Sequence, residues 1–474
     1  MSSQPGAVAS VLELIKLLDQ RKISAREVLD HYLERIDRLD GPINAIATLA
    51  PERAQQEAAA VDAARATGRG VGALAGIPIT VKDAIATADI RSTGGATELA
   101  DHVPQCDAEA VARLRSAGAV VFGKTNLPRW SGDFQTYNEI FGTTNNPWDL
   151  ERTPGGSSGG AAAAVAMGFS AFELGTDIGG SIRVPASFCG VYGHKPSFGI
   201  IPTDGYLDHI THHHNQADVN VFGPIARTAA DLSFLFDLLV APPAVDAVAW
   251  RLDLPKPRAT DLADFRVVAW LDDDFCRVDP AVRETLETTI DQLERAGARI
   301  DRNRRPYLDA AKASSDGLRL IMAATDISQP DLDFQHAAAA GTALLHRDWD
   351  LLHRERHQTR RAWADFFADV DVLLCPVTPV PPFRHVQSSA GSNWTHSVLG
   401  DYGGRIYDDL VGWTALIGSQ YLPVTTAPAG VSGRGLPIGV QVVAPYLHDQ
   451  TALAFARAMA SVFGDPPAPP AAMT

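Results

Sequence analysis

One local plan occurs twice in this chain: an amphipathic helix, an Ala-Gly step and a short apolar strand. It runs from residues 108–116 into 119–122, and again from 279–296 into 297–300. Helices alternating with short strands restrict the chain to an α/β architecture, because a sheet covered by helices buries both patterns at once. Further strands are expected at 76–81, 265–270, 370–374 and 438–443. The expected fold is a single large mixed β-sheet, largely parallel, surrounded by helices. Before the first strand the pattern is helical, with Val11, Leu14, Ile15 and Leu18 at helical spacing. Ser24 and Glu27 form a capping-box pattern that opens a second helix. An Ala-rich helix is expected over 51–66. One domain over 1–465 accounts for these signals, with its chemistry concentrated in 70–230. The Pro-rich stretch 242–257 reads as a surface connection and the tail 466–474 as loosely ordered.

Charge narrows the partners. With 41 Lys+Arg against 56 Asp+Glu the net charge is −15, which leaves no basic footprint for phosphates or anionic headgroups. Neither nucleic acid nor a membrane surface is expected as a partner. No run reaches the length of a membrane span, and the N-terminus lacks the basic and apolar regions of a secretory leader, so the chain reads as cytoplasmic. Cys106, Cys189, Cys276 and Cys375 form no CxxC pair, which argues for reduced thiols and against a zinc ribbon.

The chemistry is expected between Thr153 and Pro196, where glycines crowd around serines and leave backbone N–H groups open to a ligand. A phosphate loop is excluded because Ala161 follows Gly160 where a lysine is required. Gly155, Ser157 and Gly159 match the spacing of a nucleophile elbow, but the polar, proline-terminated residues 148–154 supply no strand before it. Glycines acting only as turn formers are the plain alternative. Against it, serine recurs inside glycine twice, at Ser157–Ser158 and at Ser181, and Lys82 ends an earlier strand.

These segments resemble the amidase signature family. The resemblance rests on GIPITVKD around Lys82, GKTN at 123–126, GTTNNPW at 142–148, PGGSSGG at 154–160 and GTDIGGSIRVPASFCG at 175–190. It extends more weakly to LPIGVQVVAP at 436–445. It implies the fold of that family and a Ser-cisSer-Lys triad: Ser181 as the nucleophile that forms an acyl-enzyme, Ser157 as the bridge on a cis peptide, and Lys82 as the base. A serine hydroxyl needs such a base. A lysine can serve only when neutral, so burial beside Ile77, Ile79 and Val81 must lower it from about 10.4. The resemblance further implies an oxyanion hole of the backbone amides of Ile178, Gly179, Gly180 and Ser181, with Ser158, Asp177 and Arg183 fixing the glycine turns.

No cofactor or metal is implied. Asp208, His209 and His212–His214 invite a metal reading, but consecutive histidines cannot converge on one ion. Cys189 has no motif-placed base and reads as packing. Trp130, Phe134, Tyr137, Phe141 and Trp148 lie where the resemblance implies part of the substrate channel; about half are expected in the core and the rest to line an apolar pocket, with Ser131, Phe134 and Tyr137 as the contacts. The expected activity is hydrolysis of neutral, hydrophobic or aryl amides, with carbamates and esters in range. The expected partner is the small-molecule amide or carbamate alone, on a monomer or homodimer. The alternative is the glutamine-hydrolysing subunit of a tRNA-dependent amidotransferase. Against it, residues 196–224 lack that subunit's serine-rich loop and carry the histidines. A further departure is Arg129–Trp130 after GKTN-Leu-Pro, where many relatives have an acidic residue.

Overall fold

The computed structural model describes residues 9–68, 70–207, 216–326, 344–387 and 398–473. Eleven strands form one sheet. Across it they run Ile46–Leu49, Val120–Thr125, Pro78–Lys82, Glu173–Asp177, Val221–Ala226, Tyr192–Lys195, Val424–Val431, Pro437–Val443, Val372–Pro376, Arg266–Ala269 and Arg299–Asp301. The sheet is mixed, but the largely parallel arrangement expected from the helix–strand alternation is corrected. Four of the ten neighbouring pairs are parallel and six are antiparallel. Parallel pairing is confined to two patches, and each holds one copy of the repeated helix–strand plan, with Glu109–Ser116 before one strand and Pro280–Arg295 before the other. Between the patches lie strands that need no helical crossover. The turn at Ser432–Gly435, for example, joins two antiparallel neighbours directly.

Polar side chains seat the helices. Ser10 and Ser24 each make a complete capping box, opening Val11–Asp19 and Ala25–Leu39. The amides of Val11 and Leu12 also donate to the buried Asp231 carboxylate at 3.0 Å each, which docks the first helix onto Ala229–Leu239. Gly159–Met167 is buried along its whole length, and its small residues are what allow neighbouring backbone so close. A Cβ on Gly160 would lie 2.5 Å from the Asn126 backbone and one on Gly159 2.1 Å from Thr136 Oγ1. At the other end of that helix, the Arg35 guanidinium donates to Met167 O at 2.7 Å, a cation at a helix C-terminus. Arg35 also reaches Ala472 O at 3.0 Å, so the tail expected to be loosely ordered is tied to the body through a short turn at Pro470–Ala472.

Apolar residues gather in two clusters. The larger follows the sheet and its helices. The smaller joins Phe134, Val184 and Phe188 to Ile321, Val380, Phe383, Tyr407, Leu410 and Val411, drawing on widely separated parts of the chain.

Candidate active site

Pro78–Lys82 is hydrogen-bonded on both sides, by Val120–Thr125 and by Glu173–Asp177, so Lys82 leaves the sheet from its interior and is fully buried. Its Nζ donates to Ser157 Oγ at 2.6 Å and to Thr176 Oγ1 at 2.7 Å. Both partners are neutral hydroxyls. Burial drives the lysine pKa down to about 7, with the charges of Asp177 and Glu173 acting in the opposite direction. A large share of the amine is therefore neutral near pH 7. Asp83, the sequence neighbour that could have held the lysine charged, is occupied elsewhere. Its carboxylate accepts from Thr93 N at 2.9 Å and Thr93 Oγ1 at 2.5 Å.

Ser157 follows a cis Gly156–Ser157 peptide. The glycine before it is required by close approach, since a Cβ on Gly156 would sit 2.5 Å from Asp133 O. Ser158 binds the two serine turns together. Its amide donates to Ser181 O at 3.1 Å, and its hydroxyl meets both Thr176 O and Thr176 N, at 3.2 and 3.4 Å. Lys82, Ser157, Thr176, Ser158 and Ser181 are thus joined by one chain of hydrogen bonds and covalent links. Ser181 is 5% exposed.

The turn 178–181 carries Ser181 from Glu173–Asp177 into the helix Arg183–Cys189. Asp177 organises it. Its carboxylate accepts from the amides of Gly180, Ile182 and Arg183 at 2.8, 3.1 and 3.2 Å, and from the Arg183 guanidinium at 2.9 and 3.0 Å. Burial alone would raise this carboxyl, but the Arg183 charge and the hydrogen bonds outweigh it and hold the group below its ordinary range. Arg183 is itself saturated, with further bonds to Thr414 O and Gln441 Oε1 at 2.9 and 3.1 Å. One expectation is corrected here. The Gly180 amide is committed to Asp177, so it is not open to a substrate oxygen. The amides of Ile178, Gly179 and Ser181 make no hydrogen bond among the described residues.

The aromatic residues of the expected channel have separate surroundings. Phe134 packs in the smaller apolar cluster, beside Ile178 of the turn 178–181. Tyr137 donates to Asp133 Oδ2 at 3.3 Å, and Tyr407 donates to the other oxygen of the same carboxylate. Trp148 donates to Cys189 O at 2.9 Å, and Arg91 lies over Phe141. Trp130 packs near Gly94, and Ser131 sits in the same turn with a positive φ of 58°. The Cys189 thiol lies against Pro154 O, and burial pushes its pKa well up, away from a reactive thiolate. The histidine cluster at 208–214 falls outside the described residues.

Sequence reasoning missed three residues. Thr176 gives Lys82 its second hydroxyl, and its place between Gly175 and Asp177 in the glycine-rich motif was the available signal. Ile321 and Val411 approach the turn 178–181, each 3.7 Å from where a Gly179 Cβ would stand. No local motif marked either one.

The family model described as Amidase matches residues 27–326 and 333–453. A glutamyl-tRNA(Gln) amidotransferase subunit of Bdellovibrio bacteriovorus is 32% identical over 495 residues, covering 95% of this chain and 96% of its own length. Among solved structures, the glutamyl-tRNA(Gln) amidotransferase subunit of Thermotoga maritima superimposes with a TM-score of 0.80 at 25% identity, covering 99% of both chains. A bacterial aryl acylamidase of the amidase signature family does so with a TM-score of 0.83 at 25% identity, covering 97% of both. These relatives overturn the expectation of a chain with no nucleic acid in its business and no partner beyond a second copy of itself. Proteins alike over nearly the full length are named as subunits of an enzyme that acts on tRNA. The error lay in the warrant: a net charge averages over a whole surface and cannot report on contacts made through a companion chain. No helix of the described residues is long and apolar enough to cross a membrane.

Proposed function

The chain belongs to the amidase family, whose members are amide C–N hydrolases, and on that premise we propose that it cleaves its amide through an acyl-enzyme on Ser181. The observation that carries this reading is the buried Lys82 donating to Ser157 at 2.6 Å with its pKa near 7. In the proposed reaction Ser157 relays the Ser181 proton to the neutral Lys82 amine while Ser181 Oγ attacks the carbonyl carbon. Developing negative charge on the carbonyl oxygen is taken up by the free amides among Ile178, Gly179 and Ser181. The proton returns through Ser157 to the leaving nitrogen, the C–N bond breaks, and water repeats the sequence on the ester to release the acid. Ser158, Asp177 and Arg183 hold the turns in place. No metal or cofactor enters the scheme. The four unpaired cysteines support a reducing, cytoplasmic setting.

Two substrate classes have separate support. The names of the relatives favour an amide donor, glutamine, consumed within a tRNA-dependent amidotransferase. The surroundings of the turn favour a neutral, apolar carboxamide, with aryl carbamates and esters as further candidates. Ile178, Phe134, Ile321 and Val411 line that side, and Arg183, the cation nearest the turn in sequence, is fully engaged. Measuring kcat/KM of the chain for glutamine and for a neutral nitroanilide decides between them. A preference for glutamine carries the amidotransferase reading, and a preference for the anilide carries the other. Labelling by an activated fluorophosphonate tests the shared chemistry. Modification of Ser157 or Cys189, with Ser181→Ala still active, overturns it.

A further inference from the structure

On a chain of net charge −15, one cavity is strongly positive. It measures about 920 Å³ and lies between the helix His346–Phe366, the start of Val372–Pro376 and the loop after Pro437–Val443. No residue around Ser181 contributes to it. Five cations, Lys256, Arg258, Arg266, Arg360 and Arg361, face a single acid, Asp371. Asp371 is already shared by two of them, since Arg258 and Arg266 both pair with it. The remaining three make no ion pair with any described residue.

Arg360 is held in place without a carboxylate. Its guanidinium lies 4.6 Å over the Tyr421 ring and 4.5 Å over Tyr446, so its N–H edge is pre-oriented at little entropic cost. Guanidinium groups aligned in this way match the paired oxygens of a phosphate. The wall beneath is apolar, formed by Phe367, Leu422 and the ring of Tyr446. A second, independent observation comes from Gln420, which lines the same cavity and is 2% exposed. Its Nε2 donates to Ser419 Oγ at 3.0 Å, while its Oε1 has no donor. A buried carbonyl oxygen left unpaired is costly, and a ligand hydroxyl or amine would recover that cost.

We propose that this cavity is a binding site for an organic phosphate of nucleotide size, one that joins an anionic head, an apolar or planar body and a hydrogen-bond donor. The volume falls within the range of small-molecule sites. The phosphate lies toward Lys256, Arg360 and Arg361, the body covers Phe367 and Leu422, and the donor meets Gln420.

The test is calorimetric titration of the full chain with AMP, adenosine, inorganic phosphate and bulk tRNA, at low and moderate salt. AMP is expected to bind at least tenfold more tightly than adenosine, with an affinity that falls as salt rises. Lys256→Glu combined with Arg361→Glu, both exposed and remote from Ser181, is expected to weaken AMP at least tenfold while amide hydrolysis stays unchanged. Gln420→Leu is expected to weaken AMP and leave inorganic phosphate unaffected. The proposal is overturned if AMP shows no saturable binding at millimolar concentration, if the double variant binds AMP like the parent chain, or if tRNA binds and AMP does not.

Discussion

Two buried cations belong to the segments around the candidate nucleophile, and the fold treats them in opposite ways. Lys82 is given two hydroxyls and no carboxylate contact, so burial prevails and its pKa falls to about 7. Arg183 is given a bidentate carboxylate, a carbonyl and an amide oxygen, and the carboxyl it pairs with is held below its ordinary range. The same interior thus makes one cation able to give up its charge and makes the other a fixed brace. What separates them is the partner set, since both are fully buried. Neutral acceptors leave the desolvation of a charge uncompensated, whereas an opposite charge in good geometry compensates it.

The sharpest way to break this contrast is to remove what the neutral lysine serves. Ser181→Ala is expected to lower kcat by about three orders of magnitude or more, with loss of fluorophosphonate labelling. Lys82→Arg follows, because it converts the first kind of cation into the second. Guanidinium stays protonated, so this variant is expected to be nearly as inactive as Lys82→Ala, each losing on the order of 10²-fold or more. The parent chain should gain activity as pH rises, because the active form is the deprotonated amine. The midpoint is expected near 7, with a plateau on the alkaline side. A rate that falls across that range would remove lysine from the role of base.

Breaking the brace should act on stability. Arg183→Leu leaves Asp177 buried and unpaired, with an expected cost of about 3–5 kcal/mol, read from the denaturant midpoint. The smallest effect sharpens the contrast. Thr176→Val removes one acceptor from Lys82 and is expected to lower kcat roughly fivefold, in keeping with a hydrogen bond of about 1 kcal/mol. Because a hydroxyl acceptor favours the protonated amine, its loss should move the midpoint of the pH profile to lower pH.

Some of this was legible from residue order and some could not be. The strand ending in Lys82 declared itself by its alternation, and glycines at 155–160 marked a place where backbone passes backbone. The expected helices at 51–66 and 108–116 also have counterparts in Pro51–Ala66 and Glu109–Ser116. Strand direction was less legible, because the antiparallel middle of the sheet depends on the hairpin of Val424–Val431 and Pro437–Val443 inserting between Tyr192–Lys195 and Val372–Pro376, strands remote from it in sequence. A glycine-rich motif suggests open amides without saying which one an adjacent carboxylate will occupy, and that is how the Gly180 amide was misassigned. Ring type alone could not show that Tyr137 is oriented by the Asp133 carboxylate, which it shares with Tyr407, a residue 270 positions further on. The basic cavity was hidden by the net charge for the same reason that partners were: a sum carries no position.

Part of the apolar wall facing the turn 178–181 comes from a different stretch of the chain than the residues that arm it. Lys82, Ser157, Ser181 and the Asp177–Arg183 brace come from its first two hundred residues, while Ile321, Leu410 and Val411 come from its last hundred and sixty. Substitution at Ile321, Leu410 or Val411 reshapes what the turn faces without touching the side chains that arm it, whereas Thr414 and Gln441, in the same late segment, belong to the brace. A lineage can therefore change its diet while inheriting its chemistry intact, and a laboratory library confined to those three apolar positions would search for new substrates at little risk to the reaction itself.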